Sequence, residues 1–94
     1  MIIVRNIFIA KPGNASKLAE QFKAAAKAAN MPRHRVLTDM TGDLNRVVLE
    51  YEVDNLSGVE SAMKEYATSD AMRAAMKGYT DLYHTAYREL LQTA

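Results

Sequence analysis

The sequence predicts a single α+β domain in which strands and helices follow the order βαββαβ. Its 94 residues are close to the roughly 100–200 residues of a typical domain. Residues 46–54 alternate apolar and polar side chains, which is typical of a β-strand with one dry face. Residues 15–29 and 57–67 carry apolar side chains at helical spacing, and each segment follows a predicted strand in the sequence.

The first strand is predicted over residues 2–10, where β-branched residues occupy both faces, so we expect a central position in the sheet. Lys11-Pro12-Gly13 ends it. Asn14 or Ser16 can then cap the first helix by accepting a hydrogen bond from a free backbone N–H group. Asn30-Met31-Pro32 ends this helix.

The second strand, residues 34–40, is more polar and is therefore predicted to lie at an edge. The turn at Gly42-Asp43 leads into the alternating strand at 46–54, so the two strands form a hairpin. Ser57 and Glu60 match the S-x-x-E capping box, which predicts the start of the second helix.

The last quarter of the chain is predicted to hold a short third helix and a final strand. Thr68-Ser69-Asp70 indicates a break with a fresh cap, and Gly78 is placed to end the third helix in the left-handed conformation. Residues 79–91 fit neither period cleanly, but their Tyr and Thr content favours a strand. As a strand, this segment has one face with Tyr83, Thr85, Tyr87 and Leu91, and another with Leu82, His84, Ala86, Arg88 and Leu90.

Strand–helix–strand repeated twice is the ferredoxin-like split βαβ arrangement, with a four-stranded antiparallel sheet and the helices on one face. Right-handed crossovers lead us to expect the first and third strands side by side at the centre, running parallel, with the second and fourth strands as edges. The uncovered face still carries Val48 and aliphatic residues of the first strand. A second copy of the sheet is its simplest cover, which predicts a homodimer.

Composition excludes several functional classes. Twelve basic and 11 acidic residues are dispersed along the chain and leave a net charge of +1, which argues against nucleic-acid binding and an anionic-membrane surface. The absence of cysteine excludes disulfides, thiolate metal sites and a cysteine nucleophile, and favours a reducing compartment. The longest apolar run, residues 1–10, is interrupted by Arg5 and Asn6 and is shorter than the ~20 residues of a membrane span. We therefore expect a cytoplasmic protein.

Several segments together resemble a known superfamily. These are a first strand ending in Lys11-Pro12-Gly13, an amphipathic helix, a hairpin, the segment 51–56, and a second helix broken near Ser69-Asp70. The pattern resembles the dimeric α/β-barrel superfamily, which includes antibiotic-biosynthesis-monooxygenase-like and NIPSNAP-like proteins. The resemblance implies a homodimer whose two sheets form one α/β barrel with the helices outside. It also implies a pocket in each subunit between sheet and helices.

The resemblance leaves more than one activity open. Members of this superfamily include cofactor-free oxygenases acting on aromatic polyketides, haem-degrading enzymes, isomerases and small proteins with no assigned activity. Where the monooxygenase-like members often carry Trp-Glu, this chain has Tyr51-Glu52, and where a His is common at the start of the third helix it has Ala71 and Met72.

Charged residues on the predicted open face are candidates for the dimer interface. If the apolar residues of the third strand face the helices, Glu50 and Glu52 face the dimer side. Buried carboxylates need basic partners, and Arg5 on the adjacent strand is the first choice, with Arg35 or Arg88 as alternatives. We interpret Arg5, Glu50 and Glu52 as interface residues with ion pairs, rather than as a general acid/base pair.

Five residues are candidates for the pocket. Asn6 lies beside Tyr51 in an otherwise apolar layer, where it either orients a ligand or serves as a structural amide. Tyr83 and Tyr87 belong to an aromatic stripe that either fills the core or lines a pocket for an aromatic substrate. His84 is the candidate catalytic base because its ordinary pKa is close to neutrality, although a lone His on an edge strand is more often a surface residue.

Two functions follow from these residues. The first is a cofactor-independent, monooxygenase-like enzyme acting on a small apolar or aromatic molecule. The alternative is a non-catalytic homodimeric ligand-binding or interaction module, favoured by the missing Trp and His. We expect no metal, since His34 and His84 have no acidic residue at ligand spacing, and no tightly held cofactor.

Overall fold

A computed structural model describes residues 1–94, and its elements follow the predicted order. They are β1 (Ile2–Ala10), α1 (Ala15–Ala28), β2 (His34–Thr38), β3 (Arg46–Val53), α2 (Leu56–Thr68), α3 (Asp70–Ala75), a 3-10 turn (Tyr79–Asp81) and β4 (Tyr83–Gln92). The predicted ferredoxin-like α+β class is confirmed. No helix is long and apolar enough to cross a membrane.

The four strands form one sheet in the order β2-β3-β1-β4, and every neighbouring pair is antiparallel. The central position of β1 and β3 and the edge positions of β2 and β4 are as predicted. The expected parallel direction of β1 and β3 is wrong. A strand–helix–strand passage returns the chain to its original direction, and the β2–β3 hairpin then reverses it, so β3 must oppose β1.

The helix α1 packs on the sheet through a face of small side chains. Its buried residues are Leu18, Ala19, Phe22, Ala25 and Ala26. Alanine lets the helix axis lie close to the strands, and Phe22 then fills the space beneath. Asn14 occupies the N-cap position, but its side chain makes no capping hydrogen bond.

The start of α2 differs from its predicted capping box. Asn55 is the N-cap, and its Oδ1 atom accepts a hydrogen bond from the Gly58 N–H group at 2.9 Å. Ser57 lies inside the first turn, so the Ser57–Glu60 box is wrong. An Asn side chain two residues earlier satisfies the free N–H group before Ser57 is reached.

The break between α2 and α3 forms as predicted. The Ser69 Oγ atom caps α3 by accepting from the Met72 N–H group at 3.1 Å. Gly78 has a φ of +81°, in the left-handed region that glycine tolerates best, and it lies three residues beyond the last residue of α3. The chain then makes the 3-10 turn before β4.

A β-bulge changes the faces of β4. Ile9 pairs with Thr85, but Ala10 pairs with Tyr83, so β4 carries one extra residue there. The strand also begins at Tyr83 rather than at Tyr79, which lies in the 3-10 turn.

The bulge separates two tyrosines that were predicted to share a face. The Tyr83 ring lies 4.9 Å from the Phe8 ring, on the helix side of the sheet. Tyr87 pairs with Ile7 and stays on the opposite face, where half of it is exposed. The predicted shared face is therefore wrong, because strict alternation along β4 does not allow for the extra residue.

The helices cover one face of the sheet and leave the other open. At the centre of the open face, Ile7 and Val48 are adjacent on paired strands and are buried by their neighbours. Around them, Leu37, Tyr87 and Leu91 are large apolar side chains that remain exposed. This open face thus has buried apolar residues on its central strands and exposed apolar residues on its edge strands.

Candidate functional site

A cavity of about 890 Å³ lies between the helix-facing side of the sheet and the three helices. This volume is near the upper end of the roughly 300–1,000 Å³ that small-molecule pockets occupy. Its lining is mostly apolar and includes five aromatic rings, those of Phe8, Phe22, Tyr51, Tyr66 and Tyr79.

The aromatic rings of this cavity contact one another edge-on or at a tilt. The Phe8 and Phe22 centroids are 4.8 Å apart at an interplanar angle of 59°. Tyr51 and Tyr66 are 5.4 Å apart at 89°. Rings that meet edge-on or at a tilt are favourable pairs, and this aromatic, mostly apolar lining suits an apolar or aromatic ligand.

The phenol groups of the cavity are hydrogen-bond donors at neutral pH. Burial raises the pKa of Tyr51, and the nearby Arg88 charge opposes this only in part. Burial, together with the charge of Glu65, also raises the pKa of Tyr66. Both phenols therefore stay protonated and neutral, and neither can act as a base.

One polar pair interrupts the apolar lining. Asn6 on β1 lies opposite Arg88 on β4, and the Arg88 Nε–H group donates to Asn6 Oδ1 at 2.7 Å. The Arg88 Nη1 atom is 3.5 Å from the Met63 Sδ atom on α2. The guanidinium is thereby held at the cavity from two sides, by an amide and by a thioether.

The structure brings together only some of the residues predicted for the pocket. Asn6 and Tyr51 line the cavity, and their role in binding stays a prediction. Tyr83 lies behind the lining, against Phe8. Tyr87 is on the opposite face of the sheet, and His84 is exposed and does not line the cavity. The structure does not bring His84 to this cavity, and a catalytic role for His84 stays a prediction.

Sequence reasoning missed Arg88 as a cavity residue, having considered it as a partner of Glu50. The signal was present in part: alternation along β4 already placed Arg88 opposite to Tyr87. What the sequence does not give is the register that sets Arg88 beside Asn6, 82 residues away along the chain. Met63, Met72 and Met76 also line the cavity.

On the open face, a row of alternating charges crosses all four strands. Glu50 accepts hydrogen bonds from Arg5, whose Nη2 and Nε atoms lie 2.8 and 3.0 Å from Oε1. It also accepts from Arg35, whose Nε atom is 3.0 Å from Oε2. The Arg5 Nη1 atom is 3.6 Å from Glu89 Oε1. We call Glu89, Arg5, Glu50 and Arg35 the charge ladder.

The charge ladder holds Glu50 as a carboxylate. Burial alone would raise its pKa, but the hydrogen bonds from Arg5 and Arg35 outweigh burial, and the pKa of Glu50 lies below its usual value. Glu52 is outside the ladder: it lies opposite Ile3 and forms no side-chain ion pair. That Arg5, Glu50 and Glu52 lie at a dimer interface stays a prediction.

The polar side chains do not form a metal site. No three His, Asp or Glu side chains are grouped so that they could hold a metal ion. The His34 Nδ1 atom is engaged with the Met31 carbonyl oxygen at 2.7 Å.

Comparison with known proteins identifies the fold. No protein-family model and no curated protein matches the chain. An uncharacterized NIPSNAP domain protein from Burkholderia xenovorans has a TM-score of 0.82 at 15% identity, over 100% of this chain and 95% of that one. A NIPSNAP-like domain protein from the same organism has a TM-score of 0.85 at 18% identity, over 99% and 84%. A provisionally named antibiotic biosynthesis monooxygenase from Deinococcus radiodurans has a TM-score of 0.72 at 14% identity, over 100% and 93%.

These similarities extend over nearly the whole chain and, at such low identities, concern the fold. The resemblance to the superfamily of NIPSNAP-like and antibiotic-biosynthesis-monooxygenase-like proteins is confirmed at that level. This architecture is compatible with unrelated activities.

Proposed function

We propose that this chain, which has the fold of the NIPSNAP-domain proteins, binds a small apolar or aromatic molecule between its sheet and its helices. The cavity of about 890 Å³ carries this proposal. Its lining combines several aromatic rings with one convergent polar pair, Asn6 and Arg88, which is the pattern of a small-molecule site.

The chemistry of the lining favours binding without catalysis over a cofactor-independent monooxygenase. Abstracting a proton from a substrate at neutral pH needs an unprotonated acceptor at the site. The lining holds neutral phenols and basic side chains but no histidine. Its one carboxylate, Asp70, has a side chain that is 97% exposed and lies 3.6 Å from Arg73. No group of the lining is thus both placed at the cavity and unprotonated, as a general base must be.

A cavity-filling substitution tests the ligand site. Ala67 on α2 and Ala71 on α3 are both exposed, but only Ala67 lines the cavity. We expect Ala67→Trp to weaken the binding of naphthalenemethanol by about tenfold or more, because the indole occupies volume that the ligand needs. Isothermal titration calorimetry measures the affinity of both variants, and Ala71→Trp should bind as the unaltered protein does. Equal affinities of the two variants, or no binding by the unaltered protein, would contradict the proposal.

We further propose that a second copy of the chain covers the open face. A domain of this size buries only about 60–65% of its unfolded surface, so further burial contributes substantially to its stability. On that face, the exposed residues Leu37 and Tyr87 lie on one side of the charge ladder, and the exposed Leu91 lies on the other. Large apolar side chains grouped around one area mark an interaction surface, and a two-fold pairing brings the same area of both chains together.

Two neighbouring leucines of β4 provide a matched test of this dimer. Leu91 is on the open face and is 38% exposed, while Leu90 is on the helix side and is 50% exposed. We expect Leu91→Lys to weaken dimerisation by about tenfold or more, because the interface would have to bury an unpaired ammonium group. Leu90→Lys should leave dimerisation unchanged. Sedimentation velocity at micromolar concentration distinguishes the two, and an unaltered protein found only as single chains would refute the dimer.

A further inference from the structure

We propose that Arg88 anchors a carboxylate, so that the ligand is a carboxylic acid with an aromatic or other apolar body. This inference rests on the proposed ligand-binding function and makes it more specific. It is carried by the placement of Arg88, by the pairing of the other arginines and by the charges of the cavity lining.

Arg88 differs from every other arginine of the chain in having no acidic partner. The other five each lie within 4.0 Å of at least one carboxylate, with the pairs Arg5–Glu50, Arg33–Asp54, Arg35–Glu50, Arg46–Asp39 and Arg73–Asp70. Arg88 instead meets an amide and a thioether, both uncharged. Arg88 is exposed to solvent at the edge of the cavity and has no carboxylate partner there, so its guanidinium is available to pair with an anionic group of a ligand.

The contacts of Arg88 also orient its free donors. The Nε–H group is used by Asn6 and the Nη1 group lies beside Met63, so these two side chains fix the plane of the guanidinium. The Nη2 group donates to no protein atom. It can therefore donate a charged hydrogen bond to a ligand carboxylate, and a preoriented donor loses little freedom when it does so.

The remaining charges of the lining also favour an anion. Besides Arg88, the basic residues Arg73 and Lys77 line the cavity, against the single acidic residue Asp70. Asp70 is paired with Arg73, which leaves Arg88 and Lys77 as the uncompensated cations. The aromatic rings would contact the apolar part of the ligand, and the cations would pair with its charged end.

Two compounds with the same apolar body show how much the charged group alone contributes to the affinity. Naphthoate and naphthalenemethanol share the ring system and differ in whether the polar end is a carboxylate. We expect the unaltered protein to bind naphthoate about tenfold or more tightly than naphthalenemethanol by isothermal titration calorimetry, which is the scale of a charged hydrogen bond. Arg88→Gln should abolish this preference, because it should weaken the binding of naphthoate more than the binding of naphthalenemethanol.

A matched control removes another guanidinium of the same lining. Arg73→Gln should keep the preference for naphthoate, because Arg73 already has a carboxylate partner. Arg88→Lys keeps the charge but not the planar edge and should retain only part of the preference. Thermal unfolding of each variant identifies any variant that fails to fold. If Arg88→Gln does not fold, the preference of Arg88→Lys is compared with that of the unaltered protein instead.

The outcomes distinguish this inference from the function on which it rests. Binding of neither compound by the unaltered protein would refute the ligand-binding function. Binding of naphthalenemethanol without a preference for naphthoate, or a preference that survives Arg88→Gln, would overturn the carboxylate site alone. Tighter binding of naphthyl phosphate than of naphthoate would also overturn it, because the site would then be selective for a phosphate.

Discussion

Phe22→Ala is expected to lower the free energy of unfolding by about 3–5 kcal/mol, as large-to-small core substitutions of phenylalanine do. Phe22 is 2% exposed, and its ring lies 4.8 Å from the Phe8 ring. Its removal takes away apolar burial and adds empty volume to a cavity that is already large. Because a small domain has only about 5–15 kcal/mol of stability in total, this variant should be near the limit of folding.

Chemical denaturation at one fixed protein concentration measures this loss, since dimerisation would make the stability depend on concentration. Phe22→Leu is the matched control, because it keeps most of the apolar volume and should cost less than about 1.5 kcal/mol. A loss of less than 1 kcal/mol for Phe22→Ala, on the order of an ordinary surface change, would show that Phe22 is not part of the core.

Glu50→Gln is expected to lower the free energy of unfolding by about 1–3 kcal/mol at neutral pH. The neutral amide cannot accept from both Arg5 and Arg35 as the carboxylate does, so two guanidinium groups lose their counter-charge. The exposure of Arg35 to water keeps this loss below that of a fully buried ion pair.

The loss caused by Glu50→Gln should depend on pH, with a defined sign. The pKa of Glu50 is lower in the folded state than the ordinary value of 4.5, so its carboxylate stabilises the folded state above that pH. As the pH falls below about 4.5 and through the folded-state pKa, this contribution is lost. The difference in stability between the unaltered protein and Glu50→Gln should therefore shrink in acid.

Denaturation curves over a series of pH values measure this difference. Glu52→Gln is the control, because Glu52 is on the same strand and the same face but outside the charge ladder. It should change the stability by less than about 0.5 kcal/mol. A loss for Glu50→Gln that stays constant from neutral pH into acid would mean that the ion pairs with Arg5 and Arg35 do not stabilise the fold.

The sequence predicts most of the fold because its periodic signals are local. The alternation around Leu49 gives both the strand and its dry face, and Ser69 marks the break between α2 and α3. The faces of β4 were predicted wrongly at Tyr83, because the bulge opposite Ala10 depends on how two distant strands pair. The cap of α2 was placed at Ser57, because Asn55 and Ser57 both carry a capping side chain and only the backbone geometry decides between them.

The cavity is less predictable because it depends on the volume that the packed elements leave unfilled. Met63 and Tyr66 have the spacing of a buried helix face, and that spacing does not distinguish a filled layer from a lining. Arg88 becomes a candidate for ligand binding only when the β1–β4 register sets it beside Asn6. That Arg88 lacks an acidic partner is visible only in the three-dimensional structure. Its sequence neighbour Glu89 lies on the opposite face of the sheet and pairs with Arg5.

The most direct test of the ligand-binding claim is a high-resolution crystal structure of the protein soaked with naphthoate. The account predicts ring density in the space between Phe8, Tyr51 and Tyr66, with the carboxylate against the Nη2 group of Arg88. Side chains of α2 and α3 that close this space, with no ligand density inside it, would contradict the account.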